Sequence, residues 1–141
     1  LLLIDVEACP EFQQSAAAQR AFHDPATQAE RTRLRDLPFV DYSAAARHKT
    51  FFLLLLFREF LRRDTRELDT YINQHQPWLT HYCRYMALDR YLHRRNPDLW
   101  HWRQWPQPYQ HPESPAVLAL LPRLNPIARF HAFVQMRLDQ Q

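Results

Sequence analysis

The chain has 141 residues, enough for one domain with a substantial core, and it contains 11 prolines and no glycine. The missing glycine excludes the phosphate-cradling Walker A loop and the Rossmann fingerprint, which need it for close backbone approach, and disfavours the tight primed turns of β-hairpins. The net charge of +3 rests almost wholly on arginine, with Lys49 the only lysine; Asp and Glu are interleaved with it along the helical stretches, so no basic face for gripping nucleic acid is indicated.

Residues 1–6, "LLLIDV", read as one short buried strand. A lone strand cannot satisfy its own backbone groups, so its partner is expected in a sheet outside this chain. That expectation, with a start that lacks Met, points to a piece of something longer. From Pro10 onward every segment reads as helix. Glu11–His23 is alanine-rich. Asp24 and Pro25 form a helix start, with Asp as cap and Pro at the first position, leading into "ATQAERTRLRDL" before "LPF" breaks the chain.

Asp41 or Ser43 is expected to cap the longest helix, about Tyr42 to Arg63. Its centre, Phe51–Phe57, is apolar nearly all round, which predicts burial on more than one side. That run is far too short to span a bilayer, and Arg58 and Glu59 follow at once. A further helix is expected over Thr65–His75. Pro77 opens another, "PWLTHYCRYMALDRYLHRR", in which Trp78, Tyr82, Tyr85 and Met86 share one stripe, and Asn96-Pro97 ends it. A Trp/Pro-rich loop occupies residues 96–113. "ESPAVLALLPRL" then predicts a short helix capped by Ser114, and Asn125-Pro126 caps a separate last one, "IARFHAFVQMRLDQQ". Short Pro-marked links between helices predict an all-α antiparallel helical bundle, a single subdomain over 1–141 with helices in 11–141.

The residues offer no catalytic set. Among eight histidines, His81 lies two positions from Cys83 on a helix, and His93 and His101 flank a proline break, so no metal site and no cofactor is expected. Cys83 reads as a small core residue rather than a nucleophile. Asp5 is a lone acid without a placeable partner. Cys9 and Cys83 form no disulfide framework, and the start lacks a signal peptide's basic region and cleavage site, so a cytoplasmic setting is expected. Three of the four tryptophans fall in "WHWRQWPQPY". They read first as anchors that fix a loop, and second as a platform on which a sugar ring stacks.

Five stretches in order resemble the 4-α-glucanotransferases known as amylomaltases or disproportionating enzymes (glycoside hydrolase family 77). "LLLIDV" is similar to the family's N-P-L-[LY]-I-D-[LV] strand. "VDYSAAARHKTFFLLLLFREF" resembles its V-D-Y…K…L…F helix through Val40, Asp41, Tyr42, Lys49 and Phe60. "WLTHYCRYMAL", "WRQWPQPY" and "RFHAFVQMRLDQQ" follow at matching spacing, covering nearly all of the chain. The resemblance implies an enzyme that moves α-1,4-glucan segments between maltodextrins by a retaining double displacement on a TIM barrel. The family's nucleophilic Asp, acid/base Glu and stabilising Asp lie in R-I-D-H, G-E-D-L-G and T-H-D, and none of these is present; "IDV" and "HDP" are not substitutes.

The chain is therefore expected to be a helical insertion excised from that barrel, bracing its active-site side, inactive alone, with residues 1–6 a barrel-derived strand. Its expected partners are the missing barrel and maltodextrin, with no nucleic acid and no membrane. Trp102 and Trp105 are the residues that would touch glucan. The rival is a free-standing helical protein–protein interaction module, which should leave no apolar surface or strand edge exposed.

Overall fold

The computed structural model describes residues 1–141 and is all-α, with seven α-helices and no strand. The helices are α1 (Pro10–Gln14), α2 (Ala16–His23), α3 (Pro25–Arg35), α4 (Tyr42–Phe60), α5 (Arg66–Gln74), α6 (Trp78–His93) and α7 (Pro115–Asp139). They form two compact units, Leu1–Arg66 with Val134–Gln141, and Glu67–Phe133.

In the first unit, the strand expected over residues 1–6 does not form; the segment runs through turns and bends. The chain contains no strand to pair with it, and side chains take over the partner's role. Lys49 Nζ donates to the carbonyls of Leu2 and Ile4, the latter at 2.8 Å. The Gln141 amide accepts from Asp5 N–H and donates to Asp5 C=O, both at 2.7 Å, as a neighbouring strand would. Ile4 and Val6 are buried, whereas Leu3 faces outward.

The alanine-rich stretch is two helices rather than one. Ser15 leaves the helical region (φ −96°, ψ 96°), ends α1, and accepts the Ala18 N–H on its Oγ at 3.2 Å to start α2. Serine competes well for a backbone donor, which favours caps over helix interiors. Asp24 caps α3 as expected, its Oδ1 accepting from Ala26 and Thr27 N–H at 3.0 and 3.1 Å. Asp41, not Ser43, caps α4 through Ala44 N–H at 2.9 Å.

The apolar centre of α4 is most deeply buried along one broad stripe. Phe52, Leu53, Leu56, Phe57 and Phe60 are buried at helical spacing; Leu54 and Leu55 are half-buried, and Phe51 is exposed on the same face as Arg58, seven residues on. The unit is closed by a buried ion pair of long sequence separation. The Arg137 guanidinium, near the end of α7, forks onto the Glu11 carboxylate, with Nε 3.2 and 3.1 Å from the two oxygens. Glu11 and Arg137 are only 3% and 4% exposed, and Arg137 also donates to Gln140 Oε1 at 2.6 Å.

In the second unit, α6 follows the cis Gln76–Pro77 peptide. It buries Leu79, Cys83, Ala87, Leu88 and Leu92. The expected stripe of Trp78, Tyr82, Tyr85 and Met86 lies one residue round the helix, half-buried or exposed. The small side chains of Cys83 and Ala87 occupy the inward side instead.

The two C-terminal helices expected on either side of Asn125 are one continuous α7 that contains Pro122 and Pro126. Each proline removes an N–H and frees the carbonyl four residues back, on Leu118 and Pro122. The spacing of four puts these residues on one face, and all three are exposed, so the freed carbonyls are on the side open to solvent. Ser114 caps this helix as expected, its Oγ accepting from Val117 N–H at 3.2 Å.

Candidate functional site

The segment between α6 and α7 carries the tryptophans. It has two short 3-10 turns, Trp102–Gln104 and Gln107–Tyr109. His101 opens the first: its Nδ1 accepts from Arg103 N–H at 3.2 Å, while Gln104 Oε1 accepts from His101 N–H at 2.9 Å. Gln110 Nε2 then donates to the carbonyls of Arg103 and Trp105, at 3.1 and 2.7 Å. Ser114 Oγ donates to the Pro108 carbonyl. The loop path is thus set by hydrogen bonds within the loop.

Pro106 disfavours helical geometry in the residue before it, and Trp105 is extended (φ −63°, ψ 150°). Its indole is turned inward. Trp105 is 5% exposed and belongs to a buried cluster with Ala87, Leu88, Leu92, Val117 and Leu124. Its ring stacks on Tyr85, with centroids 5.3 Å apart and planes at 25°. Its buried Nε1–H has no hydrogen-bond partner.

Trp102, three residues earlier, is 39% exposed. One neighbour is the His101 ring, stacked at 5.8 Å, and the Arg103 guanidinium lies 5.4 Å from the indole centroid. Trp100 is more exposed still and meets only His93 edge-on at 4.9 Å.

Beside these rings lies a cleft of about 320 Å³ whose walls include His81, Arg84, Tyr85, Trp102, Trp105 and Gln110. This is within the size range of small-ligand pockets, and its character suits one: mostly apolar walls with a few polar groups. Tyr85 remains 42% exposed despite its stack. His81 Nε2 is 3.6 Å from Glu113 Oε1. Arg84 is half-buried and makes no ion pair or hydrogen bond, unlike Arg129, which holds Asp69 at 2.6 Å.

The other residues weighed from sequence have structural settings. Cys83 is buried, and burial pushes its thiol up to about 12, which keeps it protonated and inert. Cys9 is likewise pushed up to about 11, by burial first and the Glu11 carboxylate second. Asp5 Oδ1 accepts from Glu7 N–H at 3.0 Å. No three His, Cys, Asp or Glu side chains gather as a metal-binding set.

Sequence reasoning missed His131. It sits on α7 with its ring edge-on to Tyr82 (6.5 Å) and Phe130 (5.4 Å). Burial, reinforced by the Arg90 charge, depresses its pKa from 6.5 to about 4. The unfolded chain therefore takes up a proton before the folded chain does. Stability contributed by neutral His131 is complete above about pH 6.5 and is lost as pH falls towards 4, by about 3 kcal/mol. Urea unfolding across that window should show this loss, and His131→Gln should flatten it.

Several residues that carry the resemblance noted in the sequence are used by the fold, whereas Val40 and Tyr42 face solvent. Asp41 caps α4, Lys49 holds the N-terminal segment, Phe60 and Phe130 are buried, and Trp105 anchors the loop. No helix is long and apolar enough to cross a membrane. Compared with known families, residues 1–141 match the pattern described as 4-alpha-glucanotransferase. The chain belongs to the 4-alpha-glucanotransferase family, glycoside hydrolase family 77.

Proposed function

We propose that this chain is the helical, non-catalytic portion of a 4-α-glucanotransferase that moves α-1,4-glucan segments between maltodextrins with retention, and that it braces the active-site side of a TIM barrel. Retention requires two carboxyl groups about 5–5.5 Å apart, one as nucleophile and one as acid/base. The family match over residues 1–141 carries the reading. It is supported by how the chain spends its acids. Glu11 is held by Arg137 and Asp69 by Arg129, while Asp24 and Asp41 cap helices. None is part of a free carboxylate pair in the cleft.

Large apolar side chains turned to solvent in the first unit, Leu3, Phe39, Val40 and Tyr42, favour a bracing role over a self-contained module. Two free cysteines suit a reducing, cytoplasmic setting. The test is incubation of the 141-residue chain with maltotriose, followed by product chromatography. No glucose or maltopentaose above a buffer blank is expected. Steady formation of both would place a complete acid pair within this chain and refute the reading.

A further inference from the structure

We infer that the cleft between α6 and the tryptophan loop holds a glucosyl ring of an α-1,4-glucan. The inference rests on the proposed function for its substrate class and adds the place and the residues.

The two tryptophans divide the work that the sequence left undivided. Trp105 is enclosed and builds the wall; its stack on Tyr85 fixes that ring too. Trp102 and Tyr85 then present partly exposed aromatic surface to the same cleft. A glucose ring has apolar faces of axial C–H groups, which suit an aromatic surface, and an equatorial rim of hydroxyls, which needs polar partners. In a 4-linked ring the O2 and O3 hydroxyls stay free and adjacent, a vicinal pair that a planar guanidinium can meet with two parallel N–H donors.

Arg84 is the group positioned for that contact. It lines the cleft, is half-buried and has no partner within the protein. Other arginines that are half-buried or more deeply placed engage carboxylates, such as Arg31 with Glu7, Arg129 with Asp69 and Arg137 with Glu11. Gln110 adds an amide oxygen, since its Nε2 is committed to the Arg103 and Trp105 carbonyls. Aromatic surface, an uncommitted guanidinium fork and an amide acceptor around one small cleft form the composition a neutral sugar ring needs. An anion would use the guanidinium but leave the aromatic walls without purpose.

The experiment is calorimetric titration of the 141-residue chain with maltoheptaose and, separately, with inorganic phosphate. Saturable heat with maltoheptaose is expected. Trp102→Ala and Arg84→Met should each weaken the affinity at least tenfold without moving the melting temperature, and Trp102→Phe should retain most of it. Absence of saturable heat, affinity unchanged in both variants, or saturation by phosphate in place of the sugar would overturn the inference. Maltotriose disproportionation by a longer polypeptide that joins this chain to the three carboxylate motifs separates the two levels. An active longer enzyme with a cleft indifferent to maltoheptaose overturns the cleft alone, while an inactive one overturns the proposed function.

Discussion

Glu11→Ala is expected to destabilise the first unit by about 3–5 kcal/mol, because it strands the Arg137 guanidinium in a site from which water is excluded. The pair is bidentate and nearly fully enclosed. The guanidinium also lies over the Phe60 ring at 5.4 Å, so it cannot swing to solvent without leaving a gap in the core. Losing one partner is far costlier than losing both. The double substitution Glu11→Leu with Arg137→Met should recover most of the loss, since it replaces two desolvated charges with apolar volume. Urea unfolding of the single and double variants is the measurement. A single variant within about 1 kcal/mol of the parent would mean that the pair is solvated, which its burial does not allow.

Trp105→Ala is the second large effect, expected at about 3–5 kcal/mol. The indole fills space between Leu88, Leu92, Val117 and Leu124, and its removal would also leave Tyr85 without its stacking partner. Trp105→Phe should fall between, since it keeps an aromatic ring and discards a buried N–H that has no partner. Trp102→Ala, in contrast, should change stability by less than about 1 kcal/mol, as expected for a side chain with much of its surface in water. Thermal melts of the three variants read this order directly. Equal losses at Trp102 and Trp105 would remove the distinction between a wall residue and a contact residue.

The parts of the fold that were legible in the sequence are local ones. Asp24 and Asp41 each cap N–H groups two or three residues along, so the cap and the helix it starts can be read together. The extended backbone of Trp105 follows from the proline after it, but the direction of its indole does not. What was not legible depends on distance or on rotation. The strand-like residues 1–6 take their hydrogen bonds from Lys49 and Gln141, and no local pattern announces a lysine 45 residues away as a strand's substitute. Glu11 and Arg137 are 126 residues apart. On α6, two adjacent stripes could each have faced inward, and the aromatic one was the more conspicuous; the structure buries the stripe with Cys83 and Ala87. Pro122 and Pro126 look like breaks when read singly, and only their spacing of four on an exposed face lets α7 pass through both. The candidate site was half visible: the tryptophans stood out, but the unpaired state of Arg84 is a property of the folded chain.

Disproportionation of maltotriose tests the central claim most directly. The comparison is between a polypeptide joining this chain to the RIDH, GEDLG and THD motifs, the same polypeptide without residues 10–139, and the 141-residue chain alone. The account predicts glucose and maltopentaose from the first, a severe loss of both from the second, and none from the third. Full activity without the helices, or any activity from the 141 residues by themselves, would contradict it.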